Sequence, residues 1–164
     1  MDAVKPNATI RLAYAGAGTG VLSWLLWSAE NITAQHVLGL VFGLVVAYVV
    51  NPGTTLRPAA WIIGSFSLSW IAAFRGAMEL ADVIDNAIVV GVIAGAAGAL
   101  IVALGTARAY PMPRGARSIA AITATGAVFG ALLASPHPAI LFISWQTAVG
   151  FALGRALTAK GLKP

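Results

Sequence analysis

Three acidic side chains spaced three residues apart form the densest group of ionisable residues in the sequence. They are Glu79, Asp82 and Asp85, in the stretch RGAMELADVIDN that begins at Arg75. On a helix, this spacing places the three carboxylates along one face, with Arg75 one turn from Glu79. The group could be an outer vestibule that concentrates cations, or only the solvated face of a short interfacial helix. Both interpretations stay open.

Uncharged polar and indole side chains inside long apolar runs are the second set of candidates. Serine and threonine hydroxyls could line a polar path, or donate to carbonyl groups of their own helix. Three of the tryptophans lie deep enough to line a cavity, and the amide of Gln146 could hydrogen-bond across helices. Trp27 and Trp61 are expected to be interface anchors. The substrate-path candidates are Thr19, Ser23, Trp24, Ser65, Ser69, Trp70, Thr125, Trp145 and Gln146.

The sequence carries no recognised catalytic or metal-binding motif. Cysteine is absent, which excludes disulfides, thiolate metal sites and cysteine nucleophiles. The spacing of His36 and His137 fits no metal or haem motif, and GAGTG at 16–20 lacks the lysine of a phosphate-binding loop. We therefore expect no metal and no cofactor. An enzyme is not excluded, but the sequence favours a protein that is not one.

Long apolar runs must position these candidates, and they predict a membrane protein. The chain of 164 residues is 59% hydrophobic and 9% charged, whereas a soluble domain carries about 25% charged residues. Runs long enough to span a bilayer cover 12–29, 31–56, 58–74, 86–107 and 118–154. The last is too long for one span, and SPHP at 135–138 breaks it. We expect an all-α integral membrane protein, with six transmembrane helices as three tandem hairpins in one domain, 1–164.

The charges predict the orientation of these spans. In a six-span arrangement, nine of the ten basic residues lie on one side. They are Lys5, Arg11, Arg57, Arg108, Arg114, Arg117, Arg155, Lys160 and Lys163. Arg75 lies on the other side, together with Glu30 and the acidic group Glu79, Asp82 and Asp85. Basic loops stay cytoplasmic, so we expect both termini inside, in the bacterial inner (plasma) membrane, without a cleaved signal peptide.

Recurring glycines predict close helix packing. The second helix of each hairpin carries GxxxG, at Gly39 and Gly43, Gly91 and Gly95, and Gly150 and Gly154, and the first span has three glycines within 16–20. Small residues let helices approach closely in lipid, where burial of apolar surface contributes little. We expect a tightly packed bundle, or a homo-oligomer that uses the same glycines.

A threefold repeat of the hairpin is a further interpretation. A small residue followed by a hydroxyl residue recurs seven and eight positions after Arg11, Arg57 and Arg117. The pairs are Gly18-Thr19, Gly64-Ser65 and Ala124-Thr125. Topology alone would also place an arginine before each inward helix end, so the repeat stays a hypothesis.

Several stretches support a resemblance. They are TGVLSWLL followed by GLVFGLVVAYVVNPG, then PAAWIIGSFSLSWIAA, then TGAVFGALLAS with the closing AVGFALG. Their order resembles small six-helix bacterial inner-membrane proteins of uncharacterised function. It is also similar in outline to the membrane half-unit of fusaric-acid-resistance-type exporters, whose soluble domain has no counterpart in the sequence. The resemblance implies a membrane bundle that serves as a transport unit, and it assigns no functional residue.

The centre of every predicted span lacks an ionisable side chain. Such groups usually mark proton relays, so their absence argues against a proton pump. We expect a channel, a facilitator or a permease subunit for a small solute of unspecified class. The alternative is a non-transporting scaffold or accessory subunit, which a dry, filled core would favour. The expected partners are the lipid bilayer and further copies of the chain or other membrane subunits, and not nucleic acid.

Overall fold

The described part of the chain forms six α-helices. The structure, a computed structural model, describes residues 7–28, 32–50, 55–110, 112 and 115–158, with side chains up to 27 in the first helix and from 37 in the second. The helices are α1 (Ala8–Ser28), α2 (Ile32–Val50), α3 (Leu56–Ala81), α4 (Ala87–Ala109), α5 (Ala116–Gly130) and α6 (Pro138–Thr158). A 3-10 turn, Ala131–Ala134, continues α5. The described residues form no strand, so the all-α prediction is confirmed.

Three segments are long and apolar enough to cross a membrane. They are α4, the segment Ala116–Ala134 formed by α5 and its 3-10 turn, and α6. The described part of α2 contributes a shorter apolar helix, Val37–Val50. By length and composition the structure therefore offers three candidate spans over the described residues, and the six predicted from the sequence remain a prediction.

The third helix is longer than its apolar run. The run 58–74 ends at the first charged residue, but α3 continues through Arg75 and Glu79 to Ala81. Asp82 is the C-cap of α3, and Asp85 lies in the turn before α4. The three acids therefore do not lie on one helix. The helix ends where the turn begins, and an exposed charge does not end it.

The SPHP turn forms as the sequence predicts. The 3-10 turn ends at Ala134, and α6 begins at Pro138. Proline is favoured in the first helical turn because its missing N–H would have no helical partner there. The backbone N–H of His137 donates to the hydroxyl of Ser135 at 3.3 Å, which closes the turn.

The helices pack as a ring in chain order. Each helix contacts the preceding and the following one, and α6 returns to pack along α1. One half of the ring has a filled core, to which each helix contributes at least one fully buried apolar side chain. We call these residues the plug: Leu12, Val46, Ile62, Val102, Ile122 and Leu153.

Charged side chains lie at opposite ends of the ring. The end next to the plug, here called the basic end, carries exposed Arg11, Arg57, Arg108, Arg117 and Arg155. The opposite end, here called the acidic end, carries exposed Glu79, Asp82 and Asp85 with Arg75. At the basic end, the guanidinium of Arg108 lies 5.4 Å from the ring centre of Trp61, a cation–π contact between α4 and α3.

Glycines bring α4 and α5 into backbone contact. A Cβ at Gly91 would touch the carbonyl oxygen of Gly130, and a Cβ at Gly95 would touch that of Gly126. The reverse holds as well, since a Cβ at Gly130 would touch the carbonyl oxygen of Gly91. Two GxxxG pairs therefore oppose each other, and α5 supplies one that the sequence analysis did not single out.

The other glycine pairs also face neighbouring helices. Gly150 lies against the backbone of Leu12, and Gly154 against Thr9, so both are buried between α6 and α1. Gly39 and Gly43 lie against α3, facing Phe66, Ser67, Trp70 and Ile63. Gly16 and Gly20 of α1 lie against α6, at Gln146 and Ile143. A Cβ at Gly18 or Gly64 would meet nothing within 4 Å, so these two positions do not face a neighbouring helix.

In the first helix of each hairpin, positions counted from the arginine at its start (Arg11, Arg57 or Arg117) have matching burial. Five residues after the arginine, Gly16, Ile62 and Ile122 are buried. Seven residues after it, Gly18, Gly64 and Ala124 are exposed. The three helices therefore share one rotational setting, which is what a repeat predicts and what a shared topology also produces.

Candidate functional site

A cavity of about 200 Å³ occupies the acidic half of the ring. It is lined by the acidic-end parts of all six helices and by the turn between α5 and α6, and it extends to Phe42 and Phe66 in the middle of α2 and α3. Leu133 and Pro138 line it and are exposed, so the cavity reaches the surface beside the α5–α6 turn. Phe42 and Phe66 form its floor against the plug, with ring centres 4.8 Å apart in an edge-to-face contact.

Four aromatic rings in contact form one wall of the cavity. Trp27 lies 5.3 Å from Phe74 and 5.7 Å from Phe142, measured between ring centres. Trp70 stacks on Phe142 at 5.7 Å. Trp70 and Phe74 share this wall because residues four apart lie on the same side of a helix. Aromatic rings held by one another in this way form a rigid surface that favours other aromatic groups.

Trp145 is held in the wall by its indole nitrogen. Nε1 donates to the carbonyl oxygen of Gly126 at 3.1 Å, so the hydrogen bond joins α6 to α5. Ser69 is also satisfied, because its hydroxyl donates to the carbonyl oxygen of Gly98 at 2.8 Å, across to α4. Neither side chain has an unused donor directed at the cavity.

Gln146 lines the cavity and has a side-chain group without a hydrogen-bond partner. It is 1% exposed, and its Nε2 donates to the hydroxyl of Ser23 at 2.7 Å. The hydroxyl of Ser23 in turn donates to the carbonyl oxygen of Thr19 at 2.8 Å. Oε1 of Gln146 is buried without a hydrogen-bond partner. An unmet buried acceptor costs about 1–3 kcal/mol.

The hydrogen bond to Ser23 ties the amide of Gln146 to α1. With Nε2 on the Ser23 hydroxyl, the proton of that hydroxyl goes to the carbonyl oxygen of Thr19. A hydroxyl proton rotates to suit its partners, so a turned-over amide would accept it at Oε1 and the two side chains would stay paired.

The predicted path residues divide into two groups. The cavity is lined by four of them, Ser69, Trp70, Trp145 and Gln146. A fifth, Ser23, accepts a hydrogen bond from Gln146. Thr19, Ser65 and Thr125 are not among the lining residues. Their hydroxyls donate within their own helices, to the carbonyl oxygens of Ala15, Ile62 and Ala121. This back-bonding is the common outcome for hydroxyl residues inside helices.

Trp24 lies on the outside of the bundle, so the expectation that it lines a cavity is wrong. It is 38% exposed and absent from the cavity lining. It follows Ser23, which points inward, and one helical step turns a side chain by about 100°. Trp27, which the sequence suggested as an anchor, lies in the cavity wall instead.

The sequence analysis missed Phe74 and Phe142. Helical periodicity could have identified both, since Phe74 follows Trp70 by four residues and Phe142 precedes Gln146 by four. Residues at this spacing share one face of a helix. Once Trp70 and Gln146 are candidates, the same face should be searched for further rings.

The acidic residues lie outside the cavity. Glu79, Asp82 and Asp85 are exposed and are not among its lining residues. Asn86 begins α4, and its Oδ1 accepts from the backbone N–H groups of Ile88 and Val89, so it serves as a helix cap. His137 is exposed, whereas the side chain of His36 lies outside the described residues, as does that of Gln35.

None of the described residues that line the cavity is ionisable. Among the described residues, no cluster of histidine or acidic side chains could hold a metal ion. Comparison with protein-family models, with curated proteins and with solved structures finds no match to this chain.

Proposed function

We propose that the chain is a multi-pass protein of the bacterial inner membrane that binds a small solute in the cavity and carries it across the bilayer. The observation that carries this proposal is the one-sided cavity. It reaches the surface at the acidic end and stops at the buried Phe42 and Phe66 above the plug. A site near the middle of a helical bundle, accessible from one side, is the arrangement that alternating-access carriers use.

Exposed apolar side chains support the membrane part of the proposal. Each helix exposes at least one large apolar residue on the outside of the ring. Examples are Tyr14, Leu44, Leu68, Leu104, Val128 and Phe151, one from each helix in order. Soluble proteins rarely expose apolar patches on all sides. We therefore propose six spans, including α1, α2 and α3, with the basic end and both termini in the cytoplasm.

The filled plug favours a carrier over an open channel. Its six side chains are 0% exposed, so the described residues leave no path through the basic half. Transfer requires these side chains to separate while the acidic half closes. Rocking of one part of the bundle against another around a fixed site would achieve this.

The plug also favours the second candidate, a non-transporting accessory subunit. A filled core is what a scaffold needs, and such a protein would not move a solute past the plug. The two candidates differ in solute flux. A carrier moves a bound solute across proteoliposomes, and a scaffold does not.

The test is solute uptake into proteoliposomes with one cavity-filling variant. Ala77 lines the cavity on α3 and is half-buried, so Ala77→Trp should block it and abolish uptake. Ala60 lies on the same helix, is exposed and does not line the cavity, and Ala60→Trp should transport like the wild type. Equal uptake by Ala77→Trp, or no flux of any small neutral, cationic or anionic solute with the wild-type protein, would overturn the proposal.

A further inference from the structure

Two exposed arginines flank one tryptophan on the outer surface between α3 and α4, at the basic end. Arg57 and Trp61 are four residues apart on α3, so their side chains lie on the same side of the helix. The guanidinium of Arg108, in the last turn of α4, lies 5.4 Å from the ring centre of Trp61. Both arginines are exposed, and Trp61 is 45% exposed. The indole therefore has one basic side chain on its own helix and one from the neighbouring helix.

Close packing of α3 on α4 carries this group of side chains. A Cβ at Gly105 would touch the side chain of Ser65 and would lie 3.3 Å from the carbonyl oxygen of Trp61. Ser65 is buried between the helices, whereas the Trp61 side chain is exposed. Because α3 and α4 meet this closely beside the indole, Trp61 and Arg108 are held by packed helices and not by a loop.

The two guanidinium groups have no carboxylate partner within the described residues. The described acids are Glu79, Asp82 and Asp85, and all three lie at the acidic end. A ring face attracts a cation, but it does not neutralise the charge, and it leaves N–H groups of the guanidinium to donate elsewhere. Guanidinium groups bind phosphate oxygens with strong, often paired hydrogen bonds. The basic end of this surface is therefore complementary to a phosphate group.

Apolar positions continue the same surface away from the arginines. On α3, Gly64 and Leu68 follow the indole by three and seven residues and are exposed. On α4, Leu104 precedes the arginine by four residues and is 51% exposed. These spacings keep the side chains on one face of each helix, and a Cβ at Gly64 would meet nothing within 4 Å. We call this surface the α3–α4 seam: Arg57, Trp61, Gly64, Leu68, Leu104 and Arg108.

We infer that the α3–α4 seam binds an anionic phospholipid. Arg57 and Arg108 bind its phosphate, its acyl chains lie along the apolar part of the seam, and Trp61 is a positioning residue that holds Arg108. A zwitterionic lipid fits less well, because its ammonium group would lie beside two guanidinium groups. The inference rests on the membrane location in the proposed function, which places the basic end at the anionic cytoplasmic leaflet, and it does not rest on transport.

The experiment compares phosphatidylglycerol with phosphatidylcholine of the same acyl chains. Each lipid is titrated into purified protein in a neutral detergent, and the half-saturating concentration is read from the rise in unfolding temperature. A basic side chain near an anionic lipid surface contributes about a fivefold factor in affinity, so two arginines predict a roughly 30-fold preference for phosphatidylglycerol. Arg57→Gln and Arg108→Gln should each lower this preference about fivefold. An unchanged preference in both variants would overturn the inference.

Arg155→Gln is the matched control for charge. Arg155 is exposed in the last turn of α6 at the same end, and α6 packs along α1. Its replacement should leave the preference unchanged. An equal loss in Arg155→Gln and Arg108→Gln would mean that the basic end attracts anionic lipids as a whole, and the seam would then not be a site.

Two variants of Trp61 test its positioning role. Trp61→Leu keeps both charges but removes the ring face that holds Arg108, so it should lower the preference. Trp61→Phe keeps a ring face and should retain the preference. Equal preferences in the two variants would overturn the positioning role of the ring.

Glycerol 1-phosphate separates a lipid site from a site for a soluble phosphate compound. It carries the phosphate ester without acyl chains, so it should not raise the unfolding temperature at concentrations at which phosphatidylglycerol saturates. A rise equal to that with the lipid would assign the two arginines to a soluble phosphate ligand and would overturn the lipid assignment.

Ala77→Trp separates the failure of this inference from that of the proposed function. It fills the cavity in the other half of the ring, so it should abolish uptake and leave the lipid preference unchanged. If the wild-type protein prefers phosphatidylglycerol but moves no solute, the inference stands and the carrier function fails. If uptake occurs and the wild-type protein has no preference between the two lipids, the carrier function stands and the inference fails.

Discussion

At the scale of single residues, polar groups in this bundle act mainly on the protein itself. Thr19, Ser65 and Thr125 donate within their own helices, and Ser69 joins α3 to α4. Gln146 differs because its hydrogen bond to Ser23 leaves a second group unused. The amide of Gln146 therefore joins α6 to α1 and leaves one oxygen buried without a partner.

Ser69→Ala should destabilise the bundle more than Ser67→Ala. The hydroxyl of Ser69 donates across to Gly98, whereas that of Ser67 donates to Ile63 of its own helix at 2.9 Å. Losing the interhelical hydrogen bond should cost about 0.5–1.5 kcal/mol, while alanine at 67 should cost almost nothing because it favours the helix. Thermal unfolding in detergent measures both, and equal effects would contradict the assigned role of Ser69.

Four of the nine path candidates line the cavity. The other five do not, because the direction in which a side chain points from its helix cannot be predicted from the sequence. The sequence shows that a polar or aromatic residue lies in an apolar helix, but not which way it points. Ser23 and Trp24 are adjacent, yet one is 1% exposed and the other 38%. Without a charged residue to mark the interior, nothing in the sequence distinguishes the two directions. Gln146 was identifiable because a buried amide in a span is expected to hydrogen-bond across helices.

At the scale of helices, close contact is made by glycines that face another backbone. Gly95 faces Gly126, whereas Gly18 and Gly64 face open space. The sequence places all of them in apolar helices with similar neighbours. The GxxxG spacing indicates which glycines can form a contact, but the partner helix depends on the packing of the whole ring. The pairing of α1 with α6 in particular joins the two ends of the described chain.

Gly95→Ala should be destabilising and Gly64→Ala neutral or stabilising. A Cβ at Gly95 would lie 2.8 Å from the Cα of Gly130, a backbone atom that cannot rotate away. Forcing α4 and α5 apart should cost about 1–3 kcal/mol. At Gly64 nothing lies within 4 Å, so alanine only improves helix propensity. The unfolding temperatures of the two variants give the comparison, and a stable Gly95→Ala protein would refute the close contact.

Helix boundaries were predictable where the backbone dictates them. The SPHP turn ends one helix and Pro138 begins the next, because proline restricts the backbone in any environment. The end of α3 was not predictable from hydropathy, since Arg75 and Glu79 are exposed and continue the helix to Ala81. An apolar run indicates only the part of a helix that is buried in protein or lipid. The helix itself can continue beyond that run into water.

At the scale of the whole molecule, charge and cavity are arranged on one axis. The plug lies beside the basic end and the cavity opens near the acidic end. The sequence predicted the separation of charges and the bundle, because both follow from composition along the chain. It did not predict a one-sided cavity, because that depends on which half of the ring the side chains fill. Phe42 and Phe66 mark this boundary from the middle of α2 and α3.

Removing the acidic charges should not affect uptake of a neutral solute. The triple variant Glu79→Gln, Asp82→Asn, Asp85→Asn leaves the cavity lining intact, since none of the three lines it. Steering of a charged solute would be strongest at about 0.01 M salt, where the Debye length is about 30 Å, and weak near 0.15 M. Uptake should match the wild type at both ionic strengths, with Arg75→Gln as the control at the same end. Loss of uptake confined to low salt would instead support the cation vestibule.

The helix with the most charge, α3, should still cross the membrane. It carries Arg57, Arg75 and Glu79, but all three are exposed near its ends, where side chains can reach the interface. Single cysteines at exposed Thr55, Asp85 and Ala116 bracket α3 and α4, and the native chain has no cysteine to interfere. Because basic loops stay cytoplasmic, an impermeant maleimide should label Asp85→Cys in intact cells, and Thr55→Cys and Ala116→Cys only after permeabilisation. The unsubstituted chain should remain unlabelled. Labelling of Thr55→Cys and Asp85→Cys from the same side would mean that α3 does not span, and the six-helix topology would then be wrong.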